Sequence, residues 1–306
     1  MKQLNRYIRL FLGCTLLAGL GGTAAAQSFN QTQALLEPSG TQYFQNQFLA
    51  NPAMAGIDTG LHVNIAYRKQ WNEINGAPVT KYLTADYQVS NRVGIGFHLM
   101  SDEAGLIDRT RGAFTYAYRV PLGQQHAQLS LALSLALDLQ HLDVNKLDAD
   151  PNDPSIGKYN RRDNFFEGEF GAAYTNDHFT LQAALPNVRS LFTGDTKTVD
   201  GGSLYYTAAE YKFDVNTTIS SITPKVAYRG VRGYAAIFDV GVNVRFFHDI
   251  GNIMLLYHTA GSVTAGVGFN ILKTVTLQAL YTSQTGGIKT YVDGTFEIGL
   301  ALHLFK

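Results

Sequence analysis

The sequence predicts an all-β protein, an antiparallel transmembrane β-barrel of about fourteen strands preceded by a short N-terminal periplasmic leader. Three observations lead there: an export signal at the N-terminus, strand-period alternation repeated along the chain, and turns that are alternately short and long.

Lys2, Arg6 and Arg9 form a basic start, Ile8 to Leu20 an apolar stretch, and Thr23-Ala24-Ala25-Ala26 a small-residue cleavage site. That order is a secretory signal peptide, here assigned to residues 1–26, and its apolar core is too short to span a bilayer as a helix. Phe11-Leu12-Gly13 before Cys14 makes a poor lipobox. Cys14 is the only cysteine, so a mature chain has no disulfide, thiolate metal site or cysteine nucleophile. Removing three basic residues from 24 Lys and Arg, against 24 Asp and Glu, leaves the remainder three charges acidic. No basic patch suggests nucleic acid.

Residues 27–60 are expected to be a periplasmic leader, rich in Gln and Asn, that either plugs a lumen or lies against its rim. Residues 61–306 are expected to form the barrel. No segment after the signal is long and apolar enough for a transmembrane helix. There are 17 Tyr, 18 Phe and 30 Gly against 8 Pro, which suits strands joined by tight turns.

Leu129 to Gln140 reads LSLALSLALDLQ. Successive strand side chains point to opposite faces, so its six leucines share one face and Ser130, Ala132, Ser134, Ala136, Asp138 and Gln140 the other. A helix would scatter those leucines around its circumference. The pattern recurs at Leu61–Tyr67, Phe238–Phe246, Val263–Phe269 and Val275–Tyr281. Strands are expected near 61–71, 79–88, 92–100, 111–120, 127–140, 163–175, 178–185, 203–213, 218–229, 236–247, 252–260, 262–270, 274–284 and 293–305. A periplasmic N-terminus requires short even-numbered turns and permits long odd-numbered ones. Connections at 72–78, 101–110, 141–162, 186–202 and 285–292 are expected long; Pro121–His126 and Ala260-Gly261 fit the rule poorly. A soluble sandwich also alternates, but seldom strings together so many hairpins. The last segment ends in Phe305-Lys306, which suits a closing barrel strand.

Catalytic chemistry is hard to find. Rim hydrolase candidates would be His62, His98, His141 and Asp102, and the sequence brings no two of them together. His248-Asp249 reads as a surface turn. Asp148–Asp153 has Asp153 where a calcium loop needs glycine and Tyr159 where it needs glutamate, leaving at most a weak calcium contact. Gly94-x-Gly96 lacks a third glycine and a helix, so it is no nucleotide fingerprint. Neither a catalytic residue, a cofactor site nor a metal site is expected. Tyr67-Arg68-Lys69-Gln70-Trp71, with the only Trp, reads as an interface anchor or as a protein-binding hot spot.

Tyr43-Phe44, then Phe48-Leu49-Ala50-Asn51-Pro52-Ala53-Met54-Ala55-Gly56, Tyr67–Trp71 and Gly76-Ala77-Pro78 form a recognisable series. Gly94-Ile95-Gly96, Asp102–Gly105, Asp153-Pro154 and Pro186-Asn187 extend it. From about Gln42 to the C-terminus the chain resembles the PorP/SprF family of Bacteroidota outer-membrane proteins, associated with type IX secretion and gliding motility. The resemblance implies a fourteen-stranded, non-enzymatic barrel, integral to the outer membrane. Its implied partners are the outer-membrane lipid and either a secreted adhesin's C-terminal signal domain, retained at the surface, or periplasmic components of the secretion machine. A passive or ligand-selective channel is the remaining alternative. Asn51, Pro52, Arg68 and Trp71 are the expected partner-contact or interface-anchor residues.

Overall fold

The computed structural model describes residues 40–71, 76–105, 107–123, 126–142, 164–192, 203–216, 218–231, 235–271, 274–284 and 294–305. The expected signal peptide, the first part of the leader and the 148–153 loop lie outside them.

Fourteen antiparallel strands form one closed sheet: β1 Leu61–Gln70, β2 Val79–Ser90, β3 Val93–Ala104, β4 Ile107–Pro121, β5 Gln128–Leu142, β6 Asn164–Thr175 and β7 Phe179–Leu185 make the first half. The second half is β8 Ser203–Tyr211, continued past Lys212 as Phe213–Asp214, then β9 Ile219–Val231, β10 Ile237–Phe246, β11 Gly251–His258, β12 Ser262–Ile271, β13 Val275–Gln284 and β14 Thr295–Leu304. Each strand pairs with its neighbours in sequence, and β14 pairs with β1 from Leu61↔Leu304 to Gln70↔Thr295. Among the described residues each of the fourteen strands has a paired neighbour on both sides, which a bilayer demands because hydrocarbon offers the backbone nothing to bond.

The alternation is realised inside out relative to a soluble protein. In β5, Leu133 is 67% exposed while Ala136 on the opposite face is fully buried. Phe114 and Tyr116 on β4, Phe166 on β6, Ile253 and Leu255 on β11 and Ile298 on β14 are exposed likewise. Moving a large aliphatic or aromatic side chain out of water is worth roughly 1.5–3 kcal/mol, so this outer belt belongs in lipid. The inward face carries Ser130, Thr84, Thr115, Gln278, Arg68, Arg119, Asp239 and Glu297, all buried.

The expected strands all form, with corrections at their ends. The connection expected at 101–110 is far shorter, because β3 and β4 stay paired to Ala104↔Ile107 and Gly105 turns with φ +61°. Charged Asp102, Glu103, Asp108 and Arg109 hid these strand ends from a reading based on apolar alternation. β7 ends at Leu185 as expected, because Pro186 cannot donate to the ladder, and a helical turn, Val188–Phe192, follows. Connections at 91–92, 176–178, 247–250 and 272–274 are brief and share one end of the barrel. The strand ends that flank 143–163, 186–202 and 285–294 share the other.

Candidate functional site

The interior of the barrel is occupied by the chain's own residues 40–60. Two 3-10 turns, Gln47–Leu49 and Pro52–Met54, give this segment its shape. Asn51 caps the second turn by accepting the amide of Ala53 at 3.0 Å, and Pro52 stands at the first position, where a missing N–H costs nothing. Gly56 (φ +60°) ends it in a conformation that favours glycine, its amide donating to Asp86 Oδ2 at 2.8 Å.

Apolar packing joins this plug to opposite walls. Tyr43 and Phe44 cluster with Ala184, Tyr206, Ala208, Ala227, Met254, Leu256 and Leu280. Phe48, Ala53, Met54 and Ala55 cluster with Ala117, Ala132 and Ala173. Small wall residues make the room. A Cβ at Gly96 would overlap the Phe48 ring, one at Gly94 the Ala55 carbonyl, and one at Gly171 the Asn51 amide and Pro52. The glycine pair of β3 is thus a recess for the plug.

Polar bonds fix its register. Glu297 on β14 accepts from Thr41 Oγ1 at 2.9 Å, Gln42 Nε2 at 2.6 Å and Tyr82 Oη at 3.0 Å, with Arg68 Nη1 3.9 Å away. Tyr43 Oη donates to Asp239 Oδ2, while Lys225 Nζ donates to the Tyr43 carbonyl at 2.9 Å and pairs with Glu210 at 3.1 Å. Burial raises the Tyr43 phenol well above its usual range, so it stays a donor. Asn51 Nδ2 donates to the Ala172 carbonyl at 3.1 Å. Arg119 donates to the carbonyls of Ala55 and Gly56.

A second lumen cluster lies on β4–β6. Arg111 bonds Asp138 (2.8 Å), Glu169 (2.7 Å), Asn187 Oδ1 (3.0 Å) and the Pro186 carbonyl (2.8 Å). Glu167 accepts the Arg189 amide at 2.6 Å, so the helical turn after β7 is tied back to the wall.

Of the four residues singled out from sequence, Asn51, Pro52 and Arg68 are buried in this interior. Trp71, half-buried at the long-loop end of β1, donates its amide to the Gly294 carbonyl at 3.2 Å. The four hydrolase candidates stay apart in their bonding. His62 lies 3.8 Å from Asp86, His98 3.6 Å from Glu169, Asp102 accepts from Thr80 at 2.7 Å, and His141 is exposed on the outer side opposite Asp108.

An arrangement the sequence did not reveal has relay-like geometry. His258 Nδ1 is 2.6 Å from Asp239 Oδ1, and its Nε2 is 2.9 Å from Thr264 Oγ1. His258 and Thr264 are both fully buried, and Thr264 also bonds Thr282 at 2.8 Å. A nucleophile needs a reachable oxygen with room for substrate, and this hydroxyl has neither. The set braces the wall behind Tyr43. No group of three metal-ligating side chains occurs among the described residues. The only advance sign of these partners was ionisable residues on the polar face of strands, as at Asp239 between Phe238 and Val240.

The family model for type IX secretion system membrane proteins PorP/SprF matches residues 32–302, spanning plug and barrel together. The chain belongs to the PorP/SprF family. No curated protein matches it. Among solved structures, this PorP/SprF chain resembles the Ralstonia pickettii toluene transporter TbuX at TM-score 0.54 and 12% identity, over 89% of this chain and 99% of that one. It also resembles the Acinetobacter baumannii outer membrane protein Omp33 at TM-score 0.50 and 8% identity, over 81% of this chain and 100% of that one. At these identities the likeness is one of fold. It agrees with an outer-membrane barrel.

Proposed function

We propose that this PorP/SprF barrel is a non-enzymatic docking protein of the type IX secretion system, binding the C-terminal signal domain of a secreted adhesin and retaining it at the cell surface. The observation that carries this reading is the filled lumen. A barrel packed internally by its own buried side chains is suited to presenting a rigid rim rather than passing solutes. Sites on rigid scaffolds are carried by the loops they hold, which points to the long-loop end as the binding face. We place that end outside and the short turns in the periplasm, with residues 1–26 removed after Sec export. Trp71 stands at this rim, where it anchors the strand end at the headgroup level or meets the partner. Asn51, Pro52 and Arg68 serve the partner indirectly by holding the plug.

The test is deletion of the chain with surface adhesin and total secretion measured separately. Lost display with secretion intact, together with capture of the adhesin C-terminal domain by the purified barrel, is the expected result. A general secretion defect would instead favour a link to periplasmic machine components. Intact display and intact secretion would sink both readings.

A further inference from the structure

We infer that residues 40–60 are a fixed seal, so that the barrel conducts neither ions nor small solutes, and that the Asn51–Gly56 motif is the key that locks this seal into the wall. The inference goes beyond the docking role and does not depend on it.

The motif's chemistry faces inward at every position that can be assigned. Asn51 has two tasks: its Oδ1 caps the turn at Ala53, and its Nδ2 holds the Ala172 carbonyl of β6 at 3.1 Å. Pro52, Ala53, Met54 and Ala55 are buried, so none of them presents a surface to a second protein. Gly56 carries φ +60° beside the Tyr87 carbonyl, where a side chain would overlap β2.

Three wall glycines complete the lock. Gly94 and Gly96 on β3 and Gly171 on β6 each leave room that Ala55, Phe48 and Asn51-Pro52 fill. A segment that slid in and out would need clearance along its path. Here the knobs sit in separate recesses on two strands, and Arg119 closes over the Ala55 and Gly56 carbonyls. At the other side of the lumen Tyr43 and Phe44 are packed into the β7–β9, β11 and β13 wall. Apolar side chains thus meet opposite sides of the barrel, and close packing of this kind leaves little room for a continuous water path.

The experiment is planar-bilayer recording on the full chain, with folding followed by its heat-modifiable migration on a gel and plug seating by limited proteolysis. The wild type is expected to be silent. Gly171→Leu, which pushes Asn51 and Pro52 out of their recess, is expected to give stepwise openings and cleavage within 40–60. If Gly171→Leu fails to fold, the double variant Phe48→Ala/Asn51→Ala leaves every wall residue intact and decides the matter by the same readouts. Steady wild-type conductance, or silence in a folded variant of either kind, overturns the inference. Adhesin capture measured on the same samples is a separate result, so a failed seal and a failed docking role are told apart.

Discussion

Tyr43 donates its phenolic hydrogen to Asp239 Oδ2, a carboxylate that Arg229 Nε (2.9 Å) and His258 Nδ1 (2.6 Å) also hold. One bond therefore couples the plug to a wall network of three strands. A hydrogen bond to a charged group contributes about 1.5–3 kcal/mol, so Tyr43→Phe should lower unfolding stability by that amount in a urea titration of the refolded barrel. The phenol also sets a pH limit. Its pKa is raised on folding, so its contribution is complete below about pH 10, the unfolded value, and fades as pH climbs toward the folded one. Tyr43→Phe should remove this part of the alkaline decline; an unchanged curve above pH 10 would contradict the buried bond.

Glu297 is the other tether, and its loss has a different signature. Replacing it by Ala leaves Arg68 buried beside an empty position and takes an acceptor from Thr41, Gln42 and Tyr82. Breaking one side of a buried charge pair costs about 3–5 kcal/mol, against about 1 kcal/mol for an ordinary neutral bond. Glu297→Ala should therefore destabilise the barrel far more than Gln42→Ala. A double-mutant cycle between positions 42 and 297 should give a coupling energy above 0.5 kcal/mol.

These two tethers also mark the limit of what local sequence encodes. The strands were legible because lipid enforces period-two alternation over ten or more residues, as in Leu129 to Gln140. Their ends were less so, because Asp102, Glu103, Asp108 and Arg109 carry β3 and β4 beyond the apolar belt. The plug was legible only as a choice between lumen and rim, since residues 40–60 have no periodicity. Which wall residue meets Tyr43 or Gln42 depends on contacts 196 and 255 positions away in sequence, and no local pattern encodes them. Arg68 illustrates the consequence: its position beside Trp71 suggested a shared surface role, yet the strand period sends its side chain inward to Glu297.

Asp239, His258 and Thr264 have the spacing of a proton relay but the burial of a brace. Thr264→Ala removes one neutral hydroxyl bonded to His258 and Thr282, so a stability loss of about 0.5–1.5 kcal/mol is expected, with no effect on adhesin capture. If an ester-hydrolase assay on the purified barrel gave turnover that vanished in Thr264→Ala, the brace would have to be reconsidered as a site.

The two faces of β5 allow a test of the membrane assignment that uses adjacent residues. Leu133 lies near the middle of the strand and points outward; Ser134 points inward and bonds Thr115 at 2.8 Å. An arginine on the lipid face at midplane depth costs about 2–4 kcal/mol in a transmembrane barrel, falling toward zero near the interfaces. Leu133→Arg should show that full cost in lipid vesicles. Val120→Arg, near the short-turn end of β4, should cost less than half as much. Ser134→Leu places a large apolar side chain on the buried lumen face and removes the hydroxyl that bonds Thr115, at about 1–3 kcal/mol. In a soluble β fold, whose core would be the leucine face, Ser134→Leu would be tolerated at the surface and Leu133→Arg would unfold the protein in detergent-free buffer, with no dependence on bilayer depth. The ranking Leu133→Arg above Val120→Arg, measured in vesicles, follows from depth in a bilayer and from nothing in the strand's own propensity.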